Sequence, residues 1–130
     1  MKDLKRKIHY WCSDTMQNKI TGKGVVCAVL DTGITQHPDL VGRIVGWKDC
    51  VQGKKTIYDD NGHGTHVAGI LAGNGKSGRG LYSGMAPEAQ IFAVKVLNQR
   101  GGGKNPGCDK RDPVRVVKTK GNEDPDRQYF

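Results

Sequence analysis

A chain of 130 residues with 35% apolar and 6% aromatic residues and a formal net charge of +8 has room for one small domain with a modest core. No stretch approaches the roughly 18 consecutive apolar residues of a membrane-spanning helix. No stripe of basic residues interleaved with aromatics marks a nucleic-acid surface, so neither a membrane nor nucleic acid is expected as a partner, and the sequence leaves the oligomeric state open.

Residues 1–24 are polar and end in the loop "TGKG". "VVCAVLD", Val25 to Asp31, is a continuous β-branched apolar run, too short for a helix, and predicts a strand buried on both faces. "TGITQHPDL" is rich in turn formers. "RIVGW", Arg43 to Trp47, predicts a weaker second strand, and "KDCVQGKKTIYDDNG" a surface loop. "HGTHVAGILAG" predicts a helix from near His63, with Asn61 as its cap and Val67, Ile70 and Leu71 as its apolar face. "NGKSGRGLYSG" is a glycine-rich loop, and "QIFAVKVL", Gln90 to Leu97, predicts a third strand. The order strand, strand, helix, strand points to a parallel α/β sheet. From residue 104 the composition shifts to charges, Gly and Pro around one apolar cluster, Val114, Val116 and Val117, and a disordered tail is expected.

Four cysteines, Cys12, Cys27, Cys50 and Cys108, form no C-x-x-C pair, which argues against a zinc ribbon. Cys27 lies in the apolar run, where a reduced, buried thiol is the default. The basic start "MKDLKRKIHYW" has no apolar segment behind it. No signal peptide is expected, and a cytoplasmic, reducing location fits best.

Two residues stand out for chemistry. Asp31 ends a strand just before Thr32 and Gly33, at the sheet edge where α/β folds place function; a turn-capping Asp is the blander reading. His63 stands at a helix start between Gly62 and Gly64, so a substrate or another backbone can come close. A carboxylate that accepts from one ring nitrogen fixes the tautomer and leaves the other nitrogen as a general base. His63 and His66 could instead be two metal ligands. Their spacing is H-x-x-H with no Glu between them, unlike zinc peptidases, and His66 reads as an ordinary helix histidine.

Taken together, "VVCAVLDTGITQHPDL", "DDNGHGTHVAGILAG" and "SGMAPEAQIFAVKVL" resemble the subtilase family of serine peptidases, peptidase family S8, in the family's order and over roughly residues 20–103. The resemblance implies a subtilisin-like parallel sheet with covering helices. It makes Asp31 the orienting carboxylate and His63 the general base of an Asp–His–Ser triad that hydrolyses polypeptides. Asp39 matches a position that ligates calcium in some relatives. The loop that would complete such a site, "NGKSGRGLYS", has no acidic residue, so no cofactor is expected and calcium stays an open alternative.

The nucleophile of the family lies in a downstream "GTSMA"-type motif. Ser13, Ser77 and Ser83 are the serines of this chain, and none is in such a motif. Residues 1–103 therefore read as a partial subtilase catalytic domain and residues 104–130 as a non-homologous tail. A one-base slip after Lys104 would account for that tail: in degenerate codons the shifted frame permits "K-I-Q-D-V-I-K-G-I-R", with apolar options at helical spacing. The expected function is that of a truncated serine endopeptidase, inactive as written. The rivals are a basic, non-catalytic module that binds acidic partners and a non-functional translation product.

Overall fold

A computed structural model describes residues 19–103. Three strands, β1 (Val26–Asp31), β2 (Ile44–Asp49) and β3 (Gln90–Lys95), and one helix, α1 (His63–Ala72), carry the fold, with short 3-10 turns at Pro38–Leu40 and Lys76–Gly78. The strands form one parallel sheet in the order β1-β3-β2. The α/β class and the parallel sheet follow the predicted order of elements. The predicted tail, with Val114, Val116 and Val117, lies outside the described residues, as does Ser13.

β1 runs in register with β3 from Val26 opposite Gln90 to Asp31 opposite Lys95. The pairing between β2 and β3 is irregular between Ile44 and Gly46. At Gly46 an added Cβ would lie 2.2 Å from the Phe92 ring, so glycine is what lets that ring lie against the strand. The second strand is thus shifted from the expected Arg43–Trp47 and takes in Lys48 and Asp49.

The core lies between the sheet and α1. Ile34, Leu40, Ala68, Ala72, Ala89, Ile91 and Ala93 are buried there, with Val29, Ile44, Trp47, Ile57 and Leu71 packed against them. Alternation along a strand sends every second side chain to the same face. Ile91, Ala93 and Lys95 of β3 accordingly point inward and are all buried.

The expectations for the burial of β1 and for the inward face of α1 need correction. β1 is not buried on both faces. Val26 and Leu30 are 43% and 62% exposed, and Ala28 between them is exposed as well. β1 is an edge strand of the described sheet, and α1 covers only the face that carries Val29 and Asp31. The second correction concerns α1. The residues of the helix that are fully buried are Gly64, Ala68 and Ala72, spaced four apart on one side; of the expected face Leu71 packs against the core only in part, and Ile70 is 55% exposed. Small residues win because the helix start lies against main chain: an added Cβ on Gly64 would stand 2.2 Å from the Gly33 carbonyl oxygen and 3.2 Å from Asp31 Cβ. The space that bulky side chains would need is filled by the end of β1 itself.

Asn61 is not the N-cap residue. That place belongs to Gly62, whose φ of 96° is costly for any residue with a Cβ. Asn61 still accepts from the His63 N–H at 3.1 Å. Cys27 is a half-buried free thiol, and Cys50, 3% exposed, is disulfide-bonded. Among the described residues no helix is long and apolar enough to cross a membrane.

Candidate active site

The end of β1 and the start of α1 meet at two side chains. His63 Nδ1 lies 2.8 Å from Asp31 Oδ1 and 3.0 Å from Oδ2. Asp31 is buried and also accepts from the Thr32 N–H at 2.6 Å. Burial alone would push its carboxyl up, but the His63 hydrogen bond and the Thr32 N–H outweigh this and hold it below the usual carboxylate value. An ionised carboxylate only accepts, so Nδ1 is the protonated nitrogen of the ring. In the neutral ring this tautomer places the lone pair on Nε2, on a side chain that is 63% exposed, open to solvent.

What holds the two elements together is a carboxylate for which the sequence offered no role. Asp59 accepts from the Gly62 N–H at 2.8 Å, the Thr65 N–H at 2.9 Å and the Thr65 hydroxyl at 2.6 Å, all at the first turn of α1. It accepts as well from the Thr32 hydroxyl at 2.9 Å. Thr32 Oγ1 in turn accepts from the Gly64 N–H at 2.9 Å. Thr32, the residue after Asp31, is thus joined directly to Gly64, the residue after His63, and through Asp59 to Gly62 and Thr65 on either side of them. Desolvation would raise the Asp59 carboxyl, but the hydrogen bonds from Thr65, Gly62 and Thr32 bring it down to about 2. A carboxylate at a helix N-terminus is further favoured by the helix dipole.

The loop behind the site is built in a similar way. Asp49, at the end of β2, accepts from the N–H groups of Val51, Gln52 and Lys54 and from the Tyr58 hydroxyl at 2.9 Å. Burial and the negative charges of Asp49 and Asp60 push the Tyr58 phenol up to about 12, so it stays a donor. Tyr58 O accepts from the Ile34 N–H at 3.2 Å, and Gly33 bridges to Asp59, so the turn after Asp31 is fixed from outside.

Other sequence-derived candidates fall elsewhere. His66 is exposed on α1 and does not join Asp31. Among the described residues no group of three His, Cys, Asp or Glu is placed to hold a metal ion. Asp39 gives one carboxylate oxygen to the Ser77 N–H at 2.7 Å. Ser77 and Ser83 both lie beyond the C-terminal end of α1: Ser77 is in the turn Lys76–Gly78, and Gly84, next to Ser83, donates to Gly73 O. A ten-residue helix is about 15 Å long, so both serines are a helix length from His63.

The subtilase family model matches residues 22–109. The chain belongs to the subtilase family. Serine protease AprX of Bacillus subtilis (strain 168) is 60% identical over 84 residues, which make up 65% of this chain and 19% of that protein. Subtilisin Savinase of Lederbergia lenta is 51% identical over the same length, 30% of its own chain. Among solved structures, a cold adapted subtilisin-like serine proteinase superposes with a TM-score of 0.57 at 37% identity, and Sphericase with 0.56 at 44%; each match covers 65% of this chain and 29% of the other. The fold is therefore subtilisin-like, and the chain spans less than a third of the length of these subtilases.

Proposed function

We propose that this chain carries the Asp–His half of a serine-peptidase triad, with Asp31 as the orienting carboxylate and His63 as the general base. The observation that supports this is the Asp31–His63 contact, made through both carboxylate oxygens to one ring nitrogen, with Nε2 left free on an exposed side chain. In such a triad a serine hydroxyl gives its proton to Nε2 as it attacks the scissile carbonyl. The imidazolium then protonates the leaving amine, and the carboxylate stabilises the imidazolium. Polypeptides are the substrate class that family membership supports. Asp59 and Thr32 hold the two partners in place and take no part in the proton transfer.

Among the described residues neither serine is placed beside His63, since Ser77 and Ser83 follow the C-terminal end of α1, and Ser13 lies in no nucleophile motif. The expectation is a half-site that does not turn over. The test is hydrolysis of an unfolded protein substrate by the 130-residue chain beside His63→Ala. Equal background rates are expected. A rate that disappears in His63→Ala would overturn the inactivity and require a nucleophile within the chain.

A further inference from the structure

Lys95 is the largest fully buried side chain of the described residues, with 0% exposure, and nothing in the triad chemistry uses it. Its ammonium donates to Thr32 O, to Leu97 O at 3.0 Å and to Asp60 Oδ1 at 2.7 Å, which occupies all three of its protons. It also stands 4.9 Å from the centre of the Tyr58 ring, where a cation is attracted to the aromatic face. A buried ammonium is costly unless it is fully paired, and here the pairing is complete.

The identity of the acceptors is informative. Thr32 is the residue whose N–H orients the Asp31 carboxylate. Asp60 lies in the segment that delivers His63, between Asp59 and Asn61. Lys95 itself sits opposite Asp31 in the sheet. One cation therefore ties the strand that carries the carboxylate to the loop that carries the imidazole.

We propose that Lys95 is a positioning residue of this site, whose ammonium, held by Asp60, fixes the Thr32 peptide and so keeps Asp31 in two-oxygen contact with His63 Nδ1. This rests on the reading of Asp31 and His63 as a working pair. A residue that only stabilised the core would leave the tautomer of His63 alone. A positioning residue controls it.

The experiment is ring-nitrogen NMR of His63 in the full chain, which reports the Nδ1–H tautomer directly. Wild-type protein is expected to show the Nδ1–H signal, and Asp31→Asn to lose it. If Asp31→Asn keeps the signal, the reading of the pair fails before Lys95 is in question. Given that loss, Lys95→Met is expected to lose the Nδ1–H signal too, Asp60→Asn to weaken it, and Lys95→Arg, which keeps a buried cation and several donors, to restore part of it. Ile91→Val trims the core of the same strand away from the site and is expected to lower the melting temperature with the signal intact. A folded Lys95→Met or Asp60→Asn chain with the wild-type His63 signal would overturn the proposal. So would a wild-type chain that shows no Nδ1–H signal at all, since the clamp would then not hold the pair.

Discussion

Replacing Gly64 by Ala tests the close approach on which the site depends. The new Cβ would lie 2.2 Å from Gly33 O and 3.2 Å from Asp31 Cβ, while ordinary carbon–oxygen contact needs about 3.4 Å or more, so α1 must retreat by about 1 Å. A retreat of that size takes the 2.8 Å contact between His63 and Asp31 to about 3.8 Å, beyond hydrogen-bonding range. It also stretches the 2.9 Å bond from Gly64 N–H to Thr32. Overpacking of this kind costs about 1–3 kcal/mol, and each lost hydrogen bond adds about 1 kcal/mol. The better helix propensity of Ala returns up to about 1 kcal/mol. The net loss is about 2–4 kcal/mol, which for a domain of this size lowers the melting temperature by roughly 10–30 °C. Gly69 supplies the control: it lies in the same helix, and nothing stands within 4 Å of its added Cβ, so Gly69→Ala is expected to raise stability by up to about 1 kcal/mol. Thermal unfolding followed by circular dichroism compares the two variants. If both move the transition the same way, the contact between α1 and the end of β1 does not govern the fold, and the account of why small residues fill this face is wrong.

Further outcomes follow from the carboxylates. Asp59 is lowered to about 2 from its ordinary 3.8, so its contribution is fully present above about pH 4 and is lost as pH falls toward 2. The shift corresponds to about 2 kcal/mol once its partial exposure is discounted, and Asp59→Asn should flatten the acid limb of a stability-against-pH curve measured by urea unfolding. Asp49→Ala leaves the N–H groups of Val51, Gln52 and Lys54 and the Tyr58 hydroxyl without their acceptor. A loss of about 2–3 kcal/mol is expected, together with a return of the Tyr58 phenol toward 10 in an ultraviolet titration.

Asp31 and His63 were legible because their surroundings are local. A strand that ends in Asp-Thr-Gly and a histidine between two glycines announce a sheet edge and a close approach in a few consecutive letters. Asp59 and Lys95 were not legible in this way. The role of Asp59 depends on Thr32, which is 27 positions away, and that of Lys95 on Thr32 and Asp60, which are 63 and 35 away. A trace was present all the same: Lys95 continues the inward phase of Ile91 and Ala93, and a charge in that phase has to find partners inside. The face of α1 was misread in part: Leu71 packs against the core as its size suggests, but at the helix start the neighbour is main chain and only glycine fits. The run Val25–Asp31 promised cover on two sides, whereas among the described elements α1 covers one.

The strand order also sets a timetable. β3 is the central strand and the last of the three to be made, so among the described strands neither β1 nor β2 has a neighbour to pair with until it emerges. Val26 waits for Gln90, 64 residues later. At about 5–20 residues per second of synthesis, β1 stands without its ladder for roughly 3–13 s, with Val26, Ala28 and Leu30 still in water after pairing. A nascent chain of this design is most vulnerable to proteases and to sticking during that interval. Shortening the interval by slowing nothing before residue 95, or shielding β1 with a chaperone that releases on the arrival of β3, would raise the yield of folded protein without altering a single contact of the finished fold.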